Sequence, residues 1–444
     1  MQKYVNSFSW DFREVFIEKS KSVRFNIVNW KVKTPSISED NGASLLSRSW
    51  KSEFFKVLSG ENFDLKTEIS AFIKEHDLST TCDKIQLSWQ DSINLSNDVD
   101  FTIISDIVKK IESSFSKYFK WNTKIKASHI VLWFSKKSFV VGNTLWNFSS
   151  DSTFYNTLYV SLVWEKDWRV EEVVEKITWV DIVSEFSSEN IDNIFQKALD
   201  QLDLQFRAEK SPNGEMYVII WNEAWWTIIH QAVWHWLEWD LQWSSVYSWK
   251  IWQKVADESV TIIDDPTVAN KRWFYSFDHE WNPSEKTVLI ENWILKSYLH
   301  TAKTAQKFWV KPTWHARKES YTYRNLVRMW TTYLDVWNDK KEDLLSKVDS
   351  WIYVAKMWWG QVDTVTWDFV FDVKYWFKIE NWEIKNEIRW ATISWNWPDM
   401  LNKIYWICND LEFFDWWTCW KWQAMPVADA NPTFLTKLKV TWLN

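Results

Sequence analysis

Hydrophobic and polar positions follow two different periods along the first half of this chain. Residues 23–28, 128–134 and 158–164 are strand-like runs, which are typical of strands packed in a sheet. Residues 101–112 and 191–202 instead place apolar side chains three and four positions apart, with charged residues between them. That spacing predicts two amphipathic helices among the strands.

A polar stretch, residues 207–214, separates this region from a different pattern. Residues 216–220 are an apolar, strand-like run and residues 226–237 have the pattern of a helix, after which short strands and turns dominate. We therefore expect two domains, residues 1–208 and residues 209–444. The predicted fold class is α+β: a mixed α/β N-terminal domain is followed by a largely antiparallel β C-terminal domain that carries the helix.

The residue counts conflict with this turn-rich pattern. The chain of 444 residues contains 41 Trp and only 5 Gly, whereas about 7% of the residues of ordinary proteins are Gly. Several tryptophans directly follow an asparagine between two strand-like stretches, at Asn29, Asn292 and Asn381. Asn-Gly is the usual pair in such a hairpin turn, and Trp with a positive φ would be strained.

We interpret most of the Trp letters as UGA codons that the source organism reads as glycine, a code known from some bacterial lineages with reduced genomes. Trp133 and Trp164 lie inside apolar, strand-like runs and are candidates for genuine tryptophans. The alternative interpretation is a Trp-rich module that binds carbohydrate or a membrane interface. UGG codons at the turn positions would exclude the glycine interpretation.

Charge and apolar content argue against several classes of function. The net charge is −7 with no basic stripe, so we expect no binding of nucleic acid. The first residues lack the apolar core of a signal peptide and no apolar run reaches about 18 residues, so we expect no membrane insertion. Three cysteines, Cys82, Cys408 and Cys419, are too few for a disulfide framework, and we expect a cytoplasmic protein with reduced thiols.

The candidate chemistry centres on two histidines of the predicted helix, His230 and His235. Histidine pairs on one helix often bind zinc, usually four residues apart with a Glu beside the first. When two residues are five positions apart on an ideal helix, their side chains point in directions that differ by about 140°. A widened turn such as a π-bulge is therefore needed to bring the two histidines together. The spacing alone therefore leaves zinc binding open. His315 lies in another turn-rich stretch and could approach a site, although the sequence argues this only weakly.

Cys419 offers a soft third ligand. It lies in the stretch DWWTCWKWQ, which becomes an exposed, glycine-rich loop when Trp is read as Gly. A structural cysteine is normally buried in an apolar run, and Cys408 fits that role better.

With Trp read as Gly, residues 227–248 become TIIHQAVGHGLEGDLQGSSVYS. This stretch closely resembles the TldD/PmbA family of zinc-dependent peptidases, specifically its TldD-like, metal-binding branch. Further matching stretches follow in the order of the family, at residues 288–296, 318–328, 357–363 and 419–426. The resemblance spans the C-terminal half of the chain, whereas the N-terminal half agrees only in its broad pattern of strands and helices.

The resemblance implies that His230, His235 and Cys419 bind zinc and that water or the substrate carbonyl takes the fourth position. The family has a general-base Glu where this chain has Gln231, and an amide cannot accept a proton at neutral pH. Three explanations are open: an inactivated variant, a natural subunit that binds peptide without cutting it, or a substitute carboxylate. Glu238 and Asp240 are the nearest substitutes, although a structural role suits each of them better.

The predicted function is therefore that of a zinc-dependent peptidase of the TldD type, acting on unfolded or leader-type peptides. The family resemblance implies a dimer, either a homodimer or a heterodimer with a related subunit, around an enclosed site. A peptide bound as an added strand would suit the strand-rich C-terminal domain. The alternative is a catalytically silent, peptide-binding partner subunit, which the substitution at Gln231 favours.

Overall fold

The computed structural model describes most of the chain, namely residues 12–29, 31–49, 52–60, 62–78, 100–119, 122, 124–143, 148–179, 186–222, 224, 230, 235–268, 274–346, 350–363, 366–389 and 391–442. Gln231 and Cys82 lie outside the described residues, as does most of the predicted helix 226–237. The role predicted for Gln231 therefore stays a prediction from the sequence.

The first part of the chain forms one antiparallel sheet. Its strands are β1 (Phe12–Val28), β2 (Lys31–Val32), β3 (Ser36–Arg48), β4 (Glu53–Ser59), β5 (Ile125–Asn143), β6 (Phe148–Lys166) and β7 (Arg169–Trp179). Their order is β4-β3-β1-β5-β6-β7, with β2 beside β1. The two predicted strands at residues 128–134 and 158–164 are confirmed as parts of β5 and β6.

Three helices pack against this sheet: α1 (Leu65–Glu75), α2 (Phe101–Phe119) and α3 (Ser188–Arg207). The periodic apolar residues of α2 and α3, such as Ile111 and Phe195, are buried in one core with Leu132 and Val160 of the sheet. Ser187 accepts a hydrogen bond from the Asn190 backbone N–H and so caps the start of α3. The two predicted helices are confirmed, and both are longer than their apolar patterns indicated.

The chain after residue 208 contributes sixteen strands and four short helices among the described residues. These are β8 (Glu209–Lys210), β9 (Gly214–Ile220), α4 (His235–Leu237), β10 (Ile262–Asp264), β11 (Thr287–Glu291), β12 (Ile294–Leu295), α5 (Ala302–Phe308), β13 (Ala316–Arg317), β14 (Leu326–Val327), β15 (Thr331–Leu334), α6 (Lys341–Ser346), β16 (Ser350–Val362), β17 (Asp368–Glu380), β18 (Glu383–Arg389), β19 (Ala391–Asn396), α7 (Trp397–Leu401), β20 (Trp406–Ile407), β21 (Glu412–Trp420), β22 (Ala424–Asn431) and β23 (Phe434–Trp442). A short 3₁₀ helix, Trp239–Ser244, follows α4.

Two larger sheets organise these strands. One has the order β12-β11-β10-β15-β22-β21 and places β21 at its edge. The other has the order β16-β9-β23-β19-β17-β18-β8, and β16 also pairs with β17, so that five of its strands close into a ring. Most pairings are antiparallel, and the parallel ones join β15 to β22, β9 to β16 and β8 to β18. The fold is thus a mixed α/β structure with extensive antiparallel sheets; the boundary between residues 208 and 209 stays a prediction.

Predicted hairpin turns are confirmed at two Asn-Trp pairs. Asn292 and Trp293 have φ values of 44° and 64° between β11 and β12, and Asn381 and Trp382 have values of 50° and 63° between β17 and β18. Both central residues of these two-residue turns therefore have a positive φ, as the type I′ turn requires.

A buried ion pair joins the first sheet to the rest of the molecule. Lys318 Nζ lies 2.7 Å from Glu14 Oε1, and both side chains are about 1% exposed. Asn143 donates a second buried hydrogen bond, to the Glu280 carbonyl oxygen at 2.8 Å. Because buried charges must be paired, this contact constrains how the two parts of the chain pack together. None of the described helices is both long and apolar enough to cross a membrane.

Candidate metal centre

Cys419 lies near the end of the edge strand β21, opposite Met425 of β22. Its side chain is 1% exposed, and its Sγ lies 3.1 Å from Nε2 of His235. The strand pairing fixes the position of the thiol, because β22 is held in turn by β15. The exposed loop expected from the sequence is therefore wrong for Cys419: its side chain is buried, and it points towards histidine rather than solvent.

The two histidines predicted as ligands are brought together. His230 is completely buried and His235 opens the short helix α4. Their ring centroids are 5.3 Å apart and the rings are nearly perpendicular, at 89°. The backbone at His230 is π-helical, which is the wider winding that a spacing of five residues needs. One ligand atom from each of His230, His235 and Cys419 lies within 4.8 Å of the other two.

Each imidazole is held by a carboxylate at its other ring nitrogen. His230 Nδ1 lies 2.9 Å from Asp429 Oδ1, and His235 Nδ1 lies 2.8 Å from Glu238 Oε2. A carboxylate only accepts, so each Nδ1 carries the proton and donates it, which leaves Nε2 as the atom that can bind a metal. Carboxylate–histidine pairs of this kind fix the orientation of metal-binding imidazoles.

The electrostatics favour a thiolate at this place. Burial alone would raise the pKa of the Cys419 thiol, but His235 and His230 outweigh burial and hold this pKa well below its ordinary value. Burial would likewise lower the pKa of His230, but Asp429 and Cys419 overcome it and raise that pKa to about 10. Without an ion the cluster therefore holds a negative sulfur beside a protonated His230. A cation that binds there displaces the imidazole proton, because histidine binds a metal in its neutral form.

Glu238 is the most heavily bonded carboxylate of the site. Besides His235, it accepts from Lys421 Nζ at 2.8 Å and from the Met329 backbone N–H at 3.3 Å. Burial would raise its pKa, but Lys421 and His235 keep this pKa below its ordinary value. Because both oxygens are occupied by structural donors, Glu238 orients His235 and does not replace a general base.

Asp240, the other substitute carboxylate considered from the sequence, lies 2.8 Å from Lys421 Nζ through its Oδ1. Burial raises its pKa although Lys421 opposes the effect. His315 lies in a different buried cluster, with Nε2 3.2 Å from Asp264 Oδ1. The described residues thus bring together His230, His235 and Cys419, and they place His315 outside this trio.

The donor set fits zinc. Two imidazole nitrogens and one thiolate match the ligands of catalytic zinc sites, which use three protein ligands and keep one position open. Carboxylates at both Nδ1 atoms complete the arrangement. Neither Asp429 nor Lys421 could be assigned to the site from the sequence, because each is far from the histidines along the chain; for example, 199 residues separate His230 from Asp429.

Comparison with known protein families supports this assignment of the site. A family model described as PmbA/TldA metallopeptidase C-terminal domain matches residues 213–441, a region that contains all three candidate ligands.

Individual relatives agree with this match. The metalloprotease TldD homolog of Buchnera aphidicola subsp. Acyrthosiphon pisum is 33% identical over 224 residues, which cover 50% of this chain and 46% of that protein. The zinc metalloprotease TldD homolog of Saccharolobus solfataricus is 26% identical over 239 residues, or 53% of this chain and 54% of that protein. The chain spans about half the length of the curated relatives it matches.

A solved structure shares the whole fold. The structure of TldE from Thermococcus kodakarensis superposes with a TM-score of 0.75 and covers 99% of this chain and 98% of its own. The sequence identity of 13% limits that likeness to the fold.

Proposed function

The chain belongs to the TldD/PmbA metallopeptidase family, and we propose that it is a zinc-dependent peptidase acting on unfolded or leader-type peptides. The observation that carries the proposal is the buried trio of His230, His235 and Cys419, whose ligand atoms lie within 4.8 Å of one another. The name of the relative from Saccharolobus solfataricus, a zinc metalloprotease, supports zinc as the ion.

In this proposal two sets of residues build the site: one binds the ion, and the other orients the residues that bind it. The trio would bind zinc, and Asp429 and Glu238 would keep the two Nδ1 protons in place. Zinc bound there supplies a Lewis acid for the attack of water on a peptide carbonyl. Gln231 follows directly after the first ligand and can donate or accept a hydrogen bond, but its amide cannot take up the proton of the attacking water.

The position of Cys419 supports binding of the peptide as an added strand. Cys419 lies in β21, the edge strand of its sheet, and an edge strand presents backbone groups to an extended peptide. Main-chain pairing tolerates many side chains, which suits a peptidase for unfolded substrates.

The family resemblance also supports a dimer, formed by this chain with itself or with a related subunit. Cys408 and Cys419 are free thiols, which supports a reducing compartment such as the cytoplasm.

A second candidate function is a catalytically silent subunit that binds peptide while a related subunit cleaves it. Gln231 favours this candidate, because loss of a general base typically lowers a rate by about 10²–10⁴. Glu238 does not fill the gap, since His235, Lys421 and Met329 occupy its carboxylate.

We further propose that most tryptophans of the printed sequence are glycines in the native protein, encoded by UGA. Ten of the described tryptophans have φ between 57° and 71°: Trp168, Trp249, Trp252, Trp281, Trp293, Trp309, Trp314, Trp367, Trp382 and Trp422. The left-handed region is costly for a residue with a bulky side chain and free of steric cost for glycine.

The exposure of these side chains supports the same proposal. Trp168 is 96% exposed and Trp252 is 68% exposed, so their indoles gain little from burial that could offset the strain. UGA codons at these positions, with glycine found there in a mass spectrum of the native protein, are the expected result. UGG codons or intact indoles would overturn the proposal.

The peptidase proposal is tested by cleavage of an unstructured peptide. We expect hydrolysis by the zinc-loaded chain, its loss after treatment with a chelator, and its return on addition of zinc. Hydrolysis that is unaffected by the chelator would contradict a metal-dependent mechanism. Zinc binding without hydrolysis would favour the silent subunit.

A further inference from the structure

Arg328 lies behind the turn that presents Cys419, and its guanidinium contacts the turn from inside the protein. The Arg328 side chain is completely buried. Its Nη2 donates to the Cys419 carbonyl oxygen at 3.0 Å, and its Nη1 donates to that of Gln423 at 2.8 Å and, more weakly, to that of Lys421 at 3.5 Å. One planar guanidinium thus donates hydrogen bonds to three carbonyl oxygens of the turn that joins β21 to β22.

Lys421, at the tip itself, connects the same turn to the histidine segment. Its Nζ donates to Glu238 Oε2 and to Asp240 Oδ1, each at 2.8 Å, and to the Val327 carbonyl oxygen at 3.0 Å. Glu238 in turn accepts the Nδ1 proton of His235. A continuous chain of hydrogen bonds therefore runs from the turn after Cys419 to the imidazole that faces its sulfur.

The charges of this network indicate a role beyond filling space. Two cations, Arg328 and Lys421, face two carboxylates, Glu238 and Asp240, and three of these four side chains are at most 8% exposed. Apolar residues of similar volume usually give equal or greater stability than a buried set of charges. A group of buried charges that hydrogen-bonds to the backbone of one ligand and to the ring of another is suited to fix the relative positions of the two ligands.

We propose that Arg328 and Lys421 are positioning residues that hold the Cys419 thiolate against His235 and so set the affinity of the site for a metal ion that prefers thiolate. The inference rests on the proposed metal centre and adds to it the residues that keep the third ligand in place. Neither cation touches the ion; both act through the turn and through Glu238.

Two substitutions separate the contributions of shape and charge. Arg328→Lys keeps the positive charge but loses the planar fork that reaches several carbonyl oxygens. Lys421→Met keeps the approximate length of the side chain but leaves Glu238 and Asp240 without their shared cation. Changes in the groups that support metal ligands typically lower metal affinity about 10–100-fold.

The probe is cobalt(II), which reports the ligand set through its absorption spectrum. The full chain is stripped of metal and titrated with cobalt, and affinity is measured by competition with a chelator. The thiolate-to-cobalt charge-transfer band reports the sulfur ligand directly. The matched control is Arg324→Lys, the same change at an exposed arginine that pairs with Glu53.

We expect Arg328→Lys and Lys421→Met to bind cobalt about 10–100-fold more weakly than the parent and to lose intensity in the thiolate band. The control Arg324→Lys should match the parent in cobalt affinity and in the intensity of the thiolate band. Unfolding of the metal-free variants is recorded beside each titration, because a purely structural role would change stability but leave the band of the folded protein unaltered.

Asp240→Asn is the mildest variant, because it removes only the negative charge of one partner of Lys421 and keeps an oxygen that can accept from Nζ. It is expected to fold even if the others do not. It should weaken cobalt binding in the same direction by a smaller factor. Unchanged affinity and an unchanged band in every variant that folds would overturn the positioning role. A parent chain without any thiolate band would instead refute the metal centre itself, so the two failures are distinguishable.

Discussion

Cys419 Sγ and His235 Nε2 lie 3.1 Å apart, although 184 residues separate them along the chain. The contact joins the edge strand β21 to the first residue of the short helix α4. Both side chains are held from behind, Cys419 by its strand pairing and His235 by Glu238. The site therefore has a fixed shape before any ion binds, which lowers the cost of ordering its ligands.

Gln231→Glu tests whether the missing base limits activity. The added carboxylate can accept the proton of the attacking water, so we expect the rate of peptide hydrolysis to rise about 10²–10⁴-fold. The measurement is kcat on an unstructured peptide with zinc present. Gln253→Glu makes the same change at an exposed position and should leave the rate unaltered. Equal, clear activity in the parent and in Gln231→Glu would dismiss the silent-subunit candidate.

Asp429→Asn tests the support of the first ligand. The amide keeps the size of the side chain but is a poorer acceptor for the Nδ1 proton of His230, so we expect zinc affinity to fall about 10–100-fold. Competition with a chelator measures this affinity. Asp106→Asn, on the exposed face of α2, is the matched control. Undiminished zinc affinity in Asp429→Asn would show that His230 does not depend on this carboxylate.

Trp168→Gly tests the proposed glycines through stability. Trp168 has a φ of 64° and an almost completely exposed side chain, so glycine relieves strain of about 1–2 kcal/mol without loss of packing. We expect a rise of about 1 kcal/mol in the free energy of unfolding, after glycine's entropic cost, measured by urea denaturation. Trp133→Gly, inside strand β5, should lower stability instead. A loss of stability in Trp168→Gly would contradict the assignment.

His300 should make stability depend on pH. Burial, and to a lesser extent His315, lowers its pKa from 6.5 to about 3. Between about pH 3 and pH 6.5, His300 therefore binds a proton in the unfolded chain but not in the folded chain. The contribution of His300 to folding stability is present above pH 6.5 and is lost as pH falls towards 3. By this linkage alone, stability falls by about 2 kcal/mol between pH 7 and pH 5.

His300→Gln removes the titrating ring. We expect its urea denaturation midpoint to change less between pH 7 and pH 5 than that of the parent, because glutamine does not titrate. His76→Gln makes the same change at a half-buried histidine elsewhere in the chain. Its denaturation midpoint should change with pH as much as that of the parent. An equal pH response in His300→Gln and the parent would refute the role of His300.

Features that depend on neighbouring residues could be predicted from the sequence. The apolar periods locate α2 and α3, and the pairs Asn292-Trp293 and Asn381-Trp382 locate two hairpin turns. Each of these patterns acts within a few residues, through side-chain spacing or a required backbone angle. The strands β5 and β6 are longer than predicted because pairing with neighbouring strands continues through polar residues.

The support of the site depends on contacts that no local pattern encodes. Lys421 reaches Glu238 across 183 residues, and Arg328 reaches the Cys419 carbonyl across 91. Arg328 lies just before β15, whose parallel partner is β22, and pairings between distant strands cannot be deduced from spacing along the chain. The three candidate ligands could be named from the sequence, whereas the charged groups that hold them could be identified only from the fold.

The most direct test of the metal centre is zinc binding to the parent, to Cys419→Ala and to Cys408→Ala. Cys408 is also a buried, free thiol, so the two variants make the same chemical change inside and outside the site. We predict that the parent and Cys408→Ala bind zinc at about one ion per chain with equal affinity. Cys419→Ala should bind it at least 10-fold more weakly, because the proposed site uses this thiolate as a direct ligand. Equal zinc affinity in all three proteins would contradict the account.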